Sequence, residues 1–580
     1  MCGIVGILSK EQHSIKVHTL CLLKRLEYRG YDSVGVGTND GRIRKATGSV
    51  APFVESIDDQ LTKVSMAHTR WATHGGVSEV NAHPHADSTG EFMVVHNGII
   101  ENADTLREGL PSESFVSETD TEIIAAFFHD RVARRGVDVE KAIREFFNTA
   151  EGTYAVLLMR RGGRALYAFK KDSPLAFACA PGLCGGSSIL ASDISAFGNL
   201  ADKAVFFDDY TYCVVTPAGP RFHDRSGRKI DPPEKSFQWA GDVELKDYPH
   251  YMIKEIMEQP VCARRLLESF NTIQKKKVET FAGYMKKKRR IVFLSCGTSY
   301  HASLIGAHLL SRLGYEAHAV IASEFDSFIL VDPSTFVIAI SQSGETMDVI
   351  QPLKQIRTGT AKVGSIVNVP YSTIQRLSDI TLDLLAGPEI CVASTKAFTN
   401  QVITLIKLVE CLGYETNTDE IPDKIRQTLE AVDPVCRRLA VELKDRREIY
   451  VLGKGVAYPM AREIALKLKE IDYIHAEGMM AGELKHGTLA LVESGTPVIC
   501  LVPDDDPAML ASTHEVAARG ARTIIVSNTG KGDVNVPRGC HAEFGIGACL
   551  FGHLLSYYIG VERGLPIDKP RNLAKSVTVR

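Results

Sequence analysis

The chain has 580 residues, too many for one hydrophobic core, and about 150 residues per domain would give three or four domains. With 44% hydrophobic residues, 24% charged residues and net charge −3, it offers no polybasic face for nucleic acid or an anionic membrane. No apolar run reaches the roughly 18 residues of a membrane span, and MCGIVGILSK continues into polar EQHSIK without a cleavage pattern, so a cytoplasmic protein is expected.

Residues 2–235 read as an α+β domain. GIVGIL, FMVVHNGII, TYAVLLMR and KAVFFDDYTYCVVT are β-branched or aromatic runs bounded by Gly, Asn and Asp, and HTLCLLKRLEY and DTEIIAAFFHDRVARR are amphipathic helices among them. Polar SFQWAGDVELKDYPHY, 236–251, is the expected linker. Beyond it, strands alternate with helices as a parallel α/β sheet requires. RRIVFLSCGTSYHASLIGAHLL from Arg289 overlays RREIYVLGKGVAYPMAREIALKL from Arg446, and FVIAISQSGETMD overlays PVICLVPDDDPAM. Two related α/β domains follow, 252–420 and 421–565, and 566–580 forms a tail, in which Leu573, Val577 and Val579 alternate as if lying on a core.

The two halves differ in their loops. Ser295, Thr298 and Ser299 in one loop of the first half, and Ser341, Ser343 and Thr346 in the other, suit a phosphate at helix N-termini. The alternative is that these hydroxyls merely cap their own helices. Asp504, Asp505 and Asp506 in the second half would repel a phosphate and at best cap, so one phosphate site is expected.

Cys2 directly follows Met1, and removal of Met1 would leave a thiol and an α-amine on one residue, a nucleophile carrying its own base. The thirteen cysteines include no C-x-x-C pair, so neither a zinc ribbon nor a disulfide framework is expected, and no metal. His68, His74, His83 and His85 read as core or loop histidines. Glu463, Lys467 and Glu470 stand at i, i+4 and i+7 on one helix face, a pattern that by itself also fits a solvated salt-bridge stripe.

MCGIVGI, LEYRGYDS, AHTRWATHG, NAHPH, VHNGIIEN and SETDTE resemble the glutaminase domain of the N-terminal-nucleophile amidotransferases. CGTSY, SQSGET, VASTKAFT, IHAEGMMAGELKHG and KPRNLAKSVTV resemble the sugar isomerase (SIS) half of the glucosamine-6-phosphate synthase family, so that the resemblance spans essentially the whole chain. It implies an N-terminal-nucleophile hydrolase sandwich, αββα, followed by two SIS domains with parallel sheets. It further implies a homodimer that uses glutamine and fructose 6-phosphate without a cofactor. By that resemblance Cys2 attacks the amide of glutamine, Asn97 and Gly98 hold the oxyanion, and Arg70, Thr73, His74, Asp120 and Arg29 surround the substrate. Trp71 gates an ammonia route. Glu470 moves a proton between C1 and C2 of the sugar, supported by Lys467 and Glu463. His486 helps open the ring and Lys575 forms a Schiff base. The sugar phosphate is expected on Cys296, Gly297, Thr298, Ser299, Ser341, Gln342, Ser343, Thr346, Val392, Ser394 and Ala574. An amidotransferase acting on a phosphoribosyl donor or aspartate would need a pyrophosphate or ATP motif in the C-terminal half, and none is visible. A sugar-phosphate sensor without chemistry would leave Cys2 and Lys575 unexplained.

Overall fold

The computed structural model describes residues 2–72, 74–110, 114–237, 244–325 and 331–577. The chain divides into two compact units, Met1–Gln238 with Ala574–Arg580, and Trp239–Leu573.

The first unit stacks an eight-stranded on a seven-stranded antiparallel sheet. Four strands matter for the site: β1 (Gly3–Ser14), β2 (Leu61–Arg70), β3 (Phe92–Ile100) and β4 (Gly152–Arg160). β1 and β2 lie in the larger sheet, β3 and β4 in the smaller. Ile4, Leu8, Met66, Val95 and Leu157 interleave between the sheets. Helices α1 (Glu122–Phe128) and α2 (Val139–Thr149) cover the smaller sheet through a cluster that includes Phe92, Phe128, Phe146 and Phe169. KAVFFDDYTYCVVT is not one strand: Lys203–Phe206 and Thr211–Thr216 belong to different sheets, separated by a turn in which Tyr210 has φ 60°.

The second unit repeats one design twice. The first repeat runs β5 (Arg290–Ser295), α3 (Gly297–Arg312), β6 (Glu316–Ile321), β7 (Thr335–Ser341), α4 (Met347–Arg357), β8 (Lys362–Val367) and β9 (Ile380–Asp383). The second runs β10 (Glu448–Gly453), α6 (Ala457–Asp472), β11 (His475–Met480), β12 (Pro497–Val502), α7 (Pro507–Ala517), β13 (Arg522–Ser527) and β14 (Val534–Asn535), with α5 (Ile421–Leu443) between the repeats. Both parallel sheets have their strands in the spatial order second, first, third, fourth, fifth. Every residue of β7 is buried, as expected for a parallel strand with helices on both faces.

One apolar cluster runs through both repeats, joining Phe293 and Leu405 to Ile464, Leu468 and Leu554. This packing sets α6 of the second repeat against α3 of the first. The helix α8 (His541–Glu562) is long and apolar enough to cross a bilayer, which the sequence reading did not anticipate, but 94% of its apolar window is buried inside the protein. It is a core helix. In the tail, Val577 is 49% exposed rather than packed, and Val579 lies outside the described residues.

Candidate functional site

In the first unit, Cys2 opens β1 at the point where β2 ends in Arg70. The Trp71 backbone N–H donates to the Cys2 sulfur at 3.2 Å, and the Cys2 carbonyl accepts from Asn97 Nδ2 at 2.8 Å and Arg29 Nε at 3.1 Å. Burial pushes the thiol pKa up, opposed by the charged chain terminus, the Trp71 N–H and the guanidiniums of Arg70 and Arg29. Arg29 is itself pinned by Asp193 at 3.0 Å, and the Tyr28 hydroxyl donates to the same carboxylate at 2.9 Å. Arg29 thus bridges the Cys2 backbone carbonyl and the Asp193 carboxylate. Neither Asp193 nor Tyr28 was singled out from the sequence, and Asp193 stands in no motif that could have marked it.

Gly98 has φ 130°, and a Cβ there would meet the Thr153 carbonyl at 2.0 Å, so only glycine fits beside Asn97. Asp120 Oδ2 accepts the Ile100 N–H at 2.7 Å, which brings this carboxylate to the end of β3. Arg70 is buried and donates to the carbonyls of His74, Gly75 and Gly76. The His74 side chain is exposed, so in this conformation His74 meets Arg70 through its backbone. Thr73 lies outside the described residues. The Trp71 ring stands edge-on to Tyr31, with centroids 5.6 Å apart. Asp32, inside EYRGYDS, accepts the Ala72 N–H at 2.9 Å, and Glu118, inside SETDTE, accepts from Gly76 N and Asn81 Nδ2. Those two acids hold the loop after β2.

The second centre lies in the other unit, where the loops after β5 and β7 meet. These adjacent strands flank the position where the connections change direction, the usual ligand crevice of an open parallel sheet. The hydroxyls are not caps: the N-cap residues Cys296 and Thr346 make no side-chain hydrogen bond to their helices. Instead Ser341 Oγ accepts the Gly344 N–H at 3.0 Å and lies 3.1 Å from Thr346 Oγ1, and Ser343 Oγ accepts the Glu345 N–H. Ser299 Oγ accepts from Gln401. The Gln342 carbonyl accepts from Asn368 and Val369, and Gly297 has φ 55°. In the second repeat Asp506 does cap α7, accepting from the N–H groups of Ala508 and Met509.

Glu463, Lys467 and Glu470 do not form a solvated stripe. Glu463 and Lys467 are fully buried, while the Glu470 side chain keeps 20% exposure. Lys467 Nζ sits 3.2 Å from Glu463 and 2.6 Å from Glu470 and donates to Thr298 Oγ1 at 3.2 Å. Thr298 donates in turn to Glu463 at 3.1 Å, and His301 Nδ1 reaches the other Glu463 oxygen at 2.6 Å. Burial opposes both charges, yet mutual attraction wins: the Glu463 carboxyl is held below its usual range and the Lys467 ammonium above its own. Glu470 is the member of this network whose side chain keeps contact with solvent.

Ser394 donates to Glu389, which also accepts from the N–H groups of Thr395 and Ala397, and the Val392 N–H donates to the Asp568 carbonyl. His486 is exposed at the end of the turn Ala481–His486. Ala574 and Lys575 fall in the tail segment grouped with the first unit. His301, Gln401 and Glu389 are polar residues of this centre that sequence reasoning missed, although His301 directly follows CGTSY and Glu389 and Gln401 flank VASTKAFT. Among the described residues no group of three His, Cys, Asp or Glu side chains is placed to hold a metal ion.

A glutamine amidotransferase domain model matches residues 68–199, and a SIS domain model matches 284–410 and 442–543. The glutamine–fructose-6-phosphate aminotransferase (isomerizing) of Sulfurisphaera tokodaii is 40% identical over 596 residues, and that of Thermococcus kodakarensis 38% over 614, each alignment covering 100% of both chains. The C-terminal domain of glucosamine-fructose-6-phosphate aminotransferase from Francisella tularensis superposes with TM-score 0.51 at 30% identity, covering 57% of this chain and 100% of that one. A cysteine embedded in a glutaminase fold, a buried acid–lysine network between two SIS repeats and full-length similarity together show that the chain belongs to the isomerizing glutamine–fructose-6-phosphate aminotransferase family.

Proposed function

We propose that the chain converts glutamine and fructose 6-phosphate into glutamate and glucosamine 6-phosphate. After loss of Met1, the α-amine of Cys2 takes the thiol proton and the thiolate attacks the amide carbon of glutamine. The oxyanion rests on the second N–H of Asn97 Nδ2 and on the Gly98 N–H. Its collapse expels ammonia and leaves a thioester, which water hydrolyses to glutamate. Arg70 binds the substrate carboxylate in place of the carbonyls of His74, Gly75 and Gly76, Thr73 contributes to glutamine binding, and Asp120 pairs with the ammonium. Arg29 holds the backbone of the nucleophile.

In the second centre the loops 296–299 and 341–346 receive the phosphate, and Val392, Ser394 and Ala574 flank the sugar. Lys575 condenses with the C2 ketone of the open-chain sugar, releasing water, and ammonia then displaces the lysine. Glu470 carries a proton between C1 and C2, its charge supported by Lys467 and Glu463. Ammonia must arrive unprotonated, so it needs a route shielded from bulk water, with Trp71 as its gate. His486, exposed on its own chain, completes the sugar site of a second copy in a homodimer. Thirteen free thiols suit a reducing, cytoplasmic location.

The reading is carried by the pairing, within one chain, of a thiol held at 3.2 Å from the Trp71 N–H with a hydroxyl loop beside the buried Lys467, which lies 2.6 Å from the partly exposed Glu470. Purified protein given both substrates should release glutamate and amino sugar phosphate in equal amounts; absence of the amino sugar from glutamine and from added ammonia alike would sink it. Mixing Glu470→Gln with His486→Ala protein should regenerate activity if the sites are shared.

A further inference from the structure

The strands β2 and β3 belong to opposite sheets, and His68 and Asn97 meet across the gap between them. His68 Nε2 lies 3.0 Å from the His96 carbonyl and 3.1 Å from Asn97 Oδ1. The Cys2 carbonyl can only accept, so the Asn97 amide nitrogen must be the atom that faces it, at 2.8 Å. Asn97 Oδ1 therefore faces His68 as an acceptor, beside a backbone carbonyl that also only accepts. The Nε2 of His68 must carry the proton. Its Nδ1 has no hydrogen-bond partner among the described residues, and the His83 ring stacks on it at 4.0 Å and 14°. Burial lowers the His68 pKa to about 3, so the ring stays neutral at physiological pH.

We propose that His68 is a positioning residue for glutamine hydrolysis, fixing the Asn97 side-chain amide with its nitrogen toward Cys2 and the oxyanion. The inference rests on the reading of Cys2 and Asn97 given above. An asparagine amide turned by half a revolution about its last torsion keeps its shape and exchanges a donor for an acceptor. Without the His68 donor, the turned amide would set an oxygen lone pair against the developing negative charge. The full loss of one oxyanion donor costs about 10²–10³ in kcat, which bounds the effect.

The test compares His68→Phe, which keeps a ring to stack on His83 but has no donor, with His68→Gln, which restores an N–H. In His68→Phe, kcat for glutamine hydrolysis should fall about 10- to 100-fold with KM within about 3-fold, and His68→Gln should recover part of the loss. Alkylation of Cys2 by iodoacetamide forms a C–S bond and expels iodide without any oxyanion, so its rate should stay within about 3-fold of wild type. In an Asn97→Ala background, His68→Phe should change kcat by less than about 3-fold. Unchanged kcat in His68→Phe, a full loss persisting in the Asn97→Ala background, or alkylation falling in step with kcat would each overturn the proposal. A Cys2→Ala protein that still hydrolyses glutamine at the wild-type rate would instead remove the underlying reading of the site.

Discussion

The two buried polar centres keep polar groups away from water in opposite ways. Around Asn97 the histidines are neutral: burial lowers His68 to about 3 and holds His83, His85 and His96 below their ordinary value, and the rings stack and exchange hydrogen bonds with Thr119, Thr121 and backbone groups. Around Lys467 the groups are ion-paired: Nζ lies 3.2 Å from Glu463 and 2.6 Å from Glu470, and mutual attraction keeps Glu463 and Lys467 charged despite burial. Under the proposed function, the neutral arrangement would suit a thiol nucleophile that gains a charge only during reaction, and the ionic one a carboxylate that gives and takes a proton beside a fixed cation. The difference teaches that the ionic centre should fail when either partner is removed, whereas the neutral centre should fail in mild acid.

The largest expected effect separates chemistry from stability in the neutral centre. Cys2→Ala should lower glutamine hydrolysis by at least about 10³-fold. Its thermal midpoint should stay near wild type, because no buried charge is stranded; a large drop in that midpoint would break the contrast. Next, Lys467→Met should remove sugar turnover and destabilise the second unit by about 3–5 kcal/mol, since the buried Glu463 loses its lysine cation and keeps only Thr298 and His301. Adding Glu463→Gln should recover most of that stability in denaturant unfolding, and a double variant as unstable as the single would refute the ionic account.

The two centres should also respond in different pH windows. His68 has a folded pKa of about 3, below the ordinary 6.5, so the unfolded chain binds its proton first. Its contribution is intact above pH 6.5 and is lost as pH falls toward 3; at pH 5 the loss from this group is about 2 kcal/mol. Glu463 has a folded pKa depressed from 4.5, so its contribution is intact above 4.5 and is lost only as pH falls below that value. In hydrogen exchange, the protection factor, corrected for the intrinsic exchange rate at each pH, should therefore fall first in the glutaminase peptide 92–100 rather than in 457–472 as pH drops from 7 to 5. The smallest effect belongs to Asp506→Ala, about 1 kcal/mol, because that carboxylate caps α7 and belongs to neither centre. A loss of sugar-phosphate affinity in Asp506→Ala would contradict the assignment of phosphate binding to the first repeat alone.

Much of the scaffold was legible because its signals are local. The repeat at Arg289 and Arg446 emerged as matching strand–loop–helix units, β5 with α3 and β10 with α6, since alternation of buried strands and helices is written in apolar periodicity. Asp506 read as a cap and is one. The stripe of Glu463, Lys467 and Glu470 was legible as one helix face, but its burial was not, since that depends on α6 packing against α3 with Thr298 and His301 completing it. Asp193 was invisible for a related reason: it reaches Arg29 across 164 residues, and nothing near it in sequence distinguishes it from an ordinary turn acid.

The sequence by itself determined the motifs, their order, the paired α/β repeats and the contrast between hydroxyl-rich and acidic loops, because these follow from side-chain chemistry and short-range periodicity. Tertiary structure decided which of those groups are dry, which oxygen or nitrogen of Asn97 faces Cys2, and whether His68 is filler or donor. Burial and hydrogen-bond direction are set by strands and helices distant in the chain, and no local spacing encodes them.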